Sequence, residues 1–247
     1  MYDRRGDRIL TASLDATASL WNAANGALLK TLAGHHYPVA HAAISGDGST
    51  AVTAELAARL TVWDARSATK KAELTGHSGY INDCALSHDG TRLGSAGSDR
   101  TARIWDASTG RLIHILDGHE GRVVAIRFSP DDALAATVSE SAAVRLWSVA
   151  TGRLLARVSA KESSFATVAE LTPAGDALLT ANSDGMVSLW SFPKETRTAD
   201  EIAPILERLV PYRLQNGRAV LNRRGLGPQQ LGAIHGQGFA ERAGPRQ

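Results

Sequence analysis

Short runs of hydrophobic and β-branched residues, separated by polar turn residues, cover most of the chain. Residues 79–116 show the pattern, because the runs INDCALS, TRLGSAG, TARIWD and RLIHIL follow one another with Gly, Asp and Ser residues between them. Runs of this length and these boundaries are typical of β-strands joined by tight turns. No helical period interrupts the four runs, so the pattern predicts an antiparallel sheet of four strands.

The same unit recurs along the chain with a period of about 42 residues. Gly-His pairs at 34–35, 76–77 and 118–119 keep this period, as do Asp-Gly pairs at 47–48 and 89–90. A fixed period of this length indicates repeated copies of one supersecondary unit. The five tryptophans of the sequence mark the copies, at Trp21, Trp63, Trp105, Trp147 and Trp190.

The combination of period, Gly-His pair, turn Asp and Trp-Asp pair resembles the WD-repeat family, whose repeats form the blades of a β-propeller. The resemblance covers roughly residues 1–193. It implies an all-β propeller of about four and a half four-stranded antiparallel blades, that is, an incomplete ring. The expected blades are 1–33, 34–75, 76–117, 118–160 and 161–193, of which the first and last are partial.

Both ends of the repeat region fall inside a repeat. The first blade is expected to lack its innermost strand. Three arrangements could cover the blade faces that this leaves exposed: missing N-terminal blades in a longer parent chain, association of copies through open blade edges, and closure as a five-blade ring. The first is favoured, because the start coincides with no repeat boundary.

Residues 194–221 predict a short closing segment with mixed α and β structure. Thr198 and Glu201 fit a capping box at the start of a helix, and YRLQNGRAVL predicts a hairpin that turns at Asn216-Gly217. One strand of this hairpin is expected to complete the fifth blade. Residues 222–247 are rich in Gly, Pro, Gln and Arg without periodicity, which predicts a disordered tail.

The family resemblance implies that four side chains in a complete repeat form one hydrogen-bonded chain with a structural role. In the third repeat these are His77, Ser95, Asp99 and Trp105, and the Ser position is held elsewhere by Thr11, Thr53, Thr137 and Thr180. The indole is only a donor and the carboxylate only an acceptor, so a neutral His and a hydroxyl can link them. The other repeats depart from this set: the Asp position is Ala57 or Ser141 in two of them, and the last His position falls near Lys161 or Glu162.

His, Ser and Asp together also resemble the triad of a hydrolase. A nucleophilic Ser needs an exposed position on a sharp turn, whereas Ser95 is predicted to lie in the middle of a strand. The structural interpretation is therefore favoured.

A variable set of residues recurs at one position of the repeat, three residues after each Gly-His histidine. The set is Pro38, Tyr80, Arg122 and a site near Phe165, and beside it lie Leu14, Leu56, Ser98, Glu140 and Ser183. Tyr and Arg are enriched among interface hot spots, which makes these residues the candidate partner-binding rim. The alternative is that they only pack the mouth of the channel.

Composition excludes several classes of function. The net charge of +2 over 247 residues gives no reason to expect a nucleic-acid partner, and no apolar run is long enough for a membrane span or a signal peptide. The lone Cys84 cannot form an internal disulfide, which favours the cytoplasm. His36, His41, His88 and His114 share no ligand spacing with acidic residues, so neither a metal nor another cofactor is expected.

These features predict a non-catalytic scaffold for protein–protein interactions. By resemblance, it would be the C-terminal portion of a longer bacterial WD-repeat signalling or regulatory protein, with other proteins or an upstream domain of the same chain as partners. The competing hypothesis is a hydrolase with its active site at the mouth of the propeller channel.

Overall fold

The computed structural model describes residues 1–141, 143–159, 166–172, 177–182, 187–191, 211–215 and 218–221. These residues form twenty strands in five antiparallel sheets, which confirms the predicted all-β class. We call each sheet a blade and number the blades from the N-terminus. Within the described part of the chain, no helix has the length and apolar character needed to cross a membrane.

The strands follow the chain in simple meanders. Blade 1 contains β1 (Arg8–Ala12), β2 (Ala18–Asn22) and β3 (Leu28–Leu32). Blade 2 contains β4 (Val39–Ile44), β5 (Thr50–Glu55), β6 (Arg59–Asp64) and β7 (Thr69–Leu74). Blade 3 contains β8 (Ile81–Leu86), β9 (Arg92–Gly97), β10 (Ala102–Asp106) and β11 (Leu112–Leu116). Blade 4 contains β12 (Val123–Phe128), β13 (Leu134–Ser139), β14 (Ala143–Ser148) and β15 (Leu154–Ser159).

Blade 5 contains β16 (Ala166–Leu171), β17 (Ala177–Asn182), β18 (Val187–Ser191), β19 (Pro211–Gln215) and β20 (Arg218–Leu221). β19 pairs with β18 at the position that the outer strand takes in the other blades, and β20 adds a fifth strand beyond it. The two strands lie on either side of the predicted turn at Asn216-Gly217. The predicted helix near Thr198 and the tail after residue 221 lie outside the described residues.

Blade 1 has three strands, and a short N-terminal piece lies where an innermost strand would end. Tyr2 forms an antiparallel bridge with Ile9, which matches the pairing of Ile44 with Ala51 one repeat later. The Met1 ammonium group also donates a hydrogen bond of 2.8 Å to the carbonyl oxygen of Leu10. Tyr2 therefore occupies the place of the last residue of an innermost strand.

The turn between the first and second strands is built alike in successive blades. In blade 2 the Ser45 hydroxyl donates to Asp47 over 2.7 Å, while the backbone N–H of Thr50 donates to that hydroxyl over 3.0 Å. Ser87 and Asp89 repeat the arrangement in blade 3. These side chains satisfy backbone groups at the turn, which explains why the Ser-x-Asp sequence recurs.

The hydrophobic core consists of layers between neighbouring blades. Between blades 1 and 2, one face of blade 1 with Leu10 and Leu20 packs against the Trp-bearing face of blade 2, with Ala51 and Trp63. The interfaces between blades 2 and 3, 3 and 4, and 4 and 5 follow the same scheme. Each inner blade is thus buried on both faces, which a single sheet of this size needs for stability.

Residues of blades 2, 3 and 4 line one cavity of about 270 Å³ together with Met1, which precedes blade 1, and Thr172, which follows the first strand of blade 5. Its lining includes one residue near the end of each innermost strand position, namely Met1, Ile44, Leu86, Phe128 and Thr172. The blades are therefore arranged around a common axis, as in a propeller.

Candidate functional site

The four side chains predicted to form a chain in the third repeat lie together in blade 3. Trp105 on β10 donates from Nε1 to the Ser95 hydroxyl on β9 over 2.9 Å. Nε2 of His77 lies 2.8 Å from the same hydroxyl, and its Nδ1 lies 2.9 Å from Oδ2 of Asp99. Every polar atom is satisfied when Ser95 donates to Nε2 and Nδ1–H donates to the carboxylate, which assigns a neutral imidazole.

Asp99 is held in its charged form by the turn around it. Its carboxylate accepts hydrogen bonds from the Thr101 hydroxyl over 2.8 Å and from the backbone N–H of Ser78 over 3.1 Å. Burial alone would raise the pKa of Asp99, but the hydrogen bonds from Thr101 and His77 dominate and lower it to about 2. Burial lowers the pKa of His77, and Asp99 opposes that effect only in part.

A hydrogen bond from the indole to a hydroxyl on the neighbouring strand recurs in every blade. The distances are 2.9 Å for Trp21–Thr11, 2.8 Å for Trp63–Thr53, 2.8 Å for Trp147–Thr137 and 3.0 Å for Trp190–Thr180. In blades 2 to 5 this hydrogen bond fixes the Trp side chain in the layer that packs against the preceding blade.

Blades 2 and 4 keep the histidine but lack the aspartate. Nε2 lies 2.8 Å from the hydroxyl in the His35–Thr53 pair and 2.9 Å from it in the His119–Thr137 pair. Nδ1 of each histidine is buried without a carboxylate partner. Burial, with a smaller effect of the nearby Arg145, lowers the pKa of His119 to about 4.

The enclosure of Ser95 weighs against the hydrolase interpretation of the trio. The Ser95 side chain is 0% exposed, and its oxygen already accepts the Trp105 hydrogen bond. A substrate carbonyl would need to displace core packing to reach this oxygen.

The rim residues named from the sequence are joined in pairs by backbone hydrogen bonds. The N–H of Leu56 donates to Pro38 over 3.0 Å, and that of Ser98 donates to Tyr80 over 2.8 Å. In blade 4 the N–H of Glu140 donates to Arg122 over 2.8 Å. The pairs therefore occupy the same edge of three successive blades. Phe165 and Ser183 lie outside the described residues.

This edge carries exposed apolar side chains in blades 1 to 3. The exposed fractions are 71% for Leu14, 39% for Leu56 and 63% for Tyr80, and Tyr37 beside Pro38 is 51% exposed. Blade 1 joins this edge through a hydrogen bond to blade 2, in which the N–H of Val39 donates to the Ser13 carbonyl over 3.0 Å. We define the rim surface as Leu14, Tyr37, Pro38, Leu56 and Tyr80 together with Arg122 and Glu140.

Charge replaces apolar surface where the rim reaches blade 4. Nε of Arg122 lies 3.0 Å from Oε2 of Glu140, and both side chains are partly exposed. An exposed ion pair of this kind adds little to stability, so the pair is available to a partner.

Two features of the structure escaped the sequence analysis. Tyr37 was overlooked because only the position after it keeps the repeat spacing, although an aromatic beside a rim residue is a usable signal.

Asp83 on β8 accepts a hydrogen bond from the N–H of Ile126 over 3.1 Å and forms an ion pair with Arg127, both on β12. This pair joins blades 3 and 4, and an acidic residue inside the strand INDCALS is its only sequence signal.

Cys84 lies in the layer between blades 2 and 3 with 2% of its surface exposed. Burial raises the pKa of this thiol well above its ordinary value. The side chain therefore acts as a small hydrophobic residue rather than a nucleophile.

Comparison with known families matches the chain to the model described as WD domain, G-beta repeat, over residues 68–106 and 110–148. Each matched segment runs from the outer strand of one blade through the Trp-bearing strand of the next. A comparison with curated proteins finds no match.

Proposed function

The chain carries WD repeats, and on this premise we propose that it is a non-catalytic scaffold that binds another protein through the rim surface. The observation that carries the proposal is the group of exposed Leu and Tyr side chains on one edge of blades 1 to 3. Exposed apolar groups that are gathered rather than scattered mark interaction sites, and Tyr is enriched among hot spots.

The chemistry of the rim surface indicates what the partner contributes. Leu14, Tyr37, Leu56 and Tyr80 favour apolar side chains on the partner, while the Arg122–Glu140 pair supplies polar contacts at one side. An apolar centre with a polar margin is the usual composition of a protein interface.

We further propose that the chain acts in the cytoplasm, within a bacterial signalling or regulatory protein, and that its partner is another protein or a further domain of a longer parent chain.

Site-specific photo-crosslinking in the expressing cell tests this function. A photoreactive phenylalanine analogue is placed at position 80 or 56 on the rim, and at position 115 as the control, because Ile115 is 49% exposed on an outer strand. We expect the same adduct from both rim positions and none from position 115. Mass spectrometry of the adduct identifies the partner.

Rim substitutions then separate binding from folding. Tyr80→Ala and Leu14→Ser should each reduce the adduct formed from position 56, while the free energy of unfolding changes by less than about 0.5 kcal/mol because both side chains are mainly exposed. An adduct that is equally strong from position 115, or a large loss of stability in these variants, would contradict the proposal.

A further inference from the structure

Blade 4 keeps two of the groups that hold the aspartate in blade 3, although it has no aspartate at this position. In blade 3, Nδ1 of His77 lies 2.9 Å from Oδ2 of Asp99, and Nη2 of Arg103 lies 3.7 Å from the same oxygen. The equivalent groups of blade 4 are His119 and Arg145. We propose that these two side chains bind a carboxylate of the protein partner. The proposal rests on the rim function proposed above.

Blade 4 has two buried hydrogen-bond donors that are not used. Within the described residues, neither Nδ1 of His119 nor Nη1 of Arg145 has a hydrogen-bond partner, and the two residues are only 5% and 2% exposed. The Thr137 hydroxyl accepts from the Trp147 indole and therefore donates to Nε2 of His119, which leaves the ring proton on Nδ1. Unpaired buried donors are unfavourable, and a buried charge without a counter-charge is more so.

Among the described residues, none supplies the missing carboxylate to Arg145. Its Nη2 atom donates to the Gly118 carbonyl over 2.9 Å. The nearby Glu120 forms an ion pair with Arg157, in which Nη2 lies 2.5 Å from Oε1. Burial lowers the pKa of Arg145, Arg157 adds to this effect, and Glu120 opposes it. This end of blade 4 therefore has positive charge that an anionic ligand would offset.

Blade 2 also lacks the aspartate but is unsuited to an anion. Thr61 stands where blades 3 and 4 have an arginine, and the buried Glu55 stands at the Gly97 position. Burial lowers the pKa of His35, and the nearby carboxylate of Glu55 opposes that effect. A second carboxylate would be repelled by Glu55 and would find no guanidinium. Among blades 2 to 4, the predicted site is therefore specific to blade 4.

Ser141 gives the site its opening on the rim surface. This residue is exposed and directly follows Glu140, whose ion pair with Arg122 belongs to that surface. The buried Ser139 hydroxyl lies 3.0 Å from the Ser141 hydroxyl. A ligand reaches the buried donors when these two side chains turn aside, and such changes of rotamer are common at interfaces. Both hydroxyls can then donate to the carboxylate.

A carboxylate on the partner also suits the position of the histidine ring in blade 4. The ring centroids of His119 and Trp147 are 5.5 Å apart, compared with 6.5 Å for His77 and Trp105. The imidazole of blade 4 thus lies closer to the indole, and a carboxylate that is not tied to the turn at residue 141 can follow it. Because the neighbouring rim surface favours apolar side chains, the expected partner segment has an Asp or Glu beside apolar residues.

Titration of the full chain with sodium formate tests the site without the partner. Formate is the smallest carboxylate, and sodium chloride keeps the ionic strength constant. NMR follows the indole N–H of Trp147, which is linked to His119 through the Thr137 hydroxyl. We expect a saturable shift of this signal. The indole signals of Trp63 and Trp105 should stay in place, because blade 2 lacks the arginine and blade 3 has its own carboxylate.

Three variants separate this site from general binding of anions. Arg145→Met removes the buried charge and should weaken formate binding about tenfold or more. Arg111→Met makes the same change of charge at an exposed residue before β11, and should bind formate as the wild type does. Ser139→Gly combined with Ser141→Asp supplies a carboxylate from blade 4 itself, so it should abolish the response. This double variant also serves if Arg145→Met does not fold. A shift that never saturates, or equal binding by Arg145→Met and the wild type, would overturn the site.

Photo-crosslinking from position 56 then tests the partner as the source of the carboxylate. Arg145→Met should lose most of the adduct, whereas Arg111→Met should keep it. Saturable formate binding with an unchanged adduct in Arg145→Met would overturn the partner as the source and assign the site to a small free carboxylate. If no adduct forms from position 56 or 80, the rim function fails and the partner with it, whereas the formate titration still decides whether blade 4 binds a carboxylate.

Discussion

Gly97 allows blade 3 to bring a buried histidine and a buried aspartate together. A Cβ atom at this position would lie 2.6 Å from Oδ1 of Asp99 and would also overlap the His77 ring. The equivalent residue is Glu55 in blade 2 and Ser139 in blade 4. Blades 2 and 4 have the histidine but not the aspartate, so among the three repeats with the Gly-His histidine the aspartate stands only where this residue is glycine.

Gly97→Ala should therefore disrupt the hydrogen-bonded chain although it adds a single methyl group. We expect a loss of about 2 kcal/mol in the free energy of unfolding, because the His77–Asp99 hydrogen bond is strained or broken in a buried site. Urea denaturation measures the change. Gly121→Ala is the matched control, since its Cβ would lie 3.6 Å from the nearest atom, and equal losses in the two variants would argue against this role of Gly97.

The buried histidines make stability depend on pH in a defined window. Burial lowers the pKa of His119 from the ordinary value of 6.5 to about 4. The folded state then binds fewer protons than the unfolded state between these values, so stability is full above pH 6.5 and falls as the pH drops towards 4. The contribution of this one side chain reaches up to about 3 kcal/mol.

Urea denaturation at pH 7.5, 5.5 and 4.5 measures this dependence. His119→Gln should flatten the decline between pH 6.5 and 4, because the residue that gains a proton on unfolding is gone. His36→Gln, at an exposed histidine, should keep the wild-type slope. An identical slope for all three proteins would assign the pH dependence to other groups.

At the scale of the strand and the blade, Arg145 shows what blade 4 lacks. Arg103 in blade 3 lies 3.7 Å from Asp99, whereas the equivalent Arg145 is 2% exposed and has a buried Nη1 atom without a hydrogen-bond partner. Its Nη2 donates to the Gly118 carbonyl over 2.9 Å. Ser141 stands at the aspartate position, and its hydroxyl lies 3.0 Å from that of Ser139.

Rebuilding the chain of blade 3 in blade 4 should require two coupled changes. Ser141→Asp supplies a carboxylate for His119 and Arg145, and Ser139→Gly removes the side chain that stands where blade 3 has Gly97. We expect the double variant to be about 1 to 2 kcal/mol more stable than the wild type, with an interaction energy of at least about 0.5 kcal/mol between the substitutions.

A double-mutant cycle by chemical denaturation checks this expectation. Repeating the cycle in the His119→Phe background should reduce the interaction energy, because the imidazole partner is then missing. Strict additivity in the original background would show that the two positions do not share one site.

Repeat spacing explains why the strands and most of the site were predictable from the sequence. The Trp and its hydroxyl partner are ten residues apart across one hairpin, so a fixed period fixes their contact in every blade. The hydrogen-bond partner of the histidine Nδ1 atom was less predictable in blades 2 and 4. It depends on whether the residue at the Gly97 position, Glu55 or Ser139 in these blades, leaves room for a carboxylate. The hairpin strands β19 and β20 were predicted from the sequence YRLQNGRAVL rather than from repeat spacing, which ends before them.

For the whole molecule, the number of neighbours of each blade differs between the middle and the ends. Blades 2, 3 and 4 are packed on both faces, whereas blades 1 and 5 each leave one face partly exposed. In repeat proteins the stability of a unit is close to the sum of its own stability and that of its interfaces. Blade 3 also has the complete hydrogen-bonded chain and the Asp83–Arg127 pair with blade 4.

Amide hydrogen exchange should therefore decrease in rate from the ends towards blade 3. We expect the slowest exchange in β9 and β10 and faster exchange in β1, β2, β17 and β18, because opening an end blade disrupts one interface rather than two. The measurement is made on the wild-type protein at low concentration, because a substitution within β17 would itself change the exchange of that strand. Asp99→Asn should speed exchange in blade 3 and leave β1 and β2 unchanged, since blade 1 shares no interface with it. Equal protection in all five blades would show instead that the propeller unfolds as one cooperative unit, in which the number of packed faces does not set local stability.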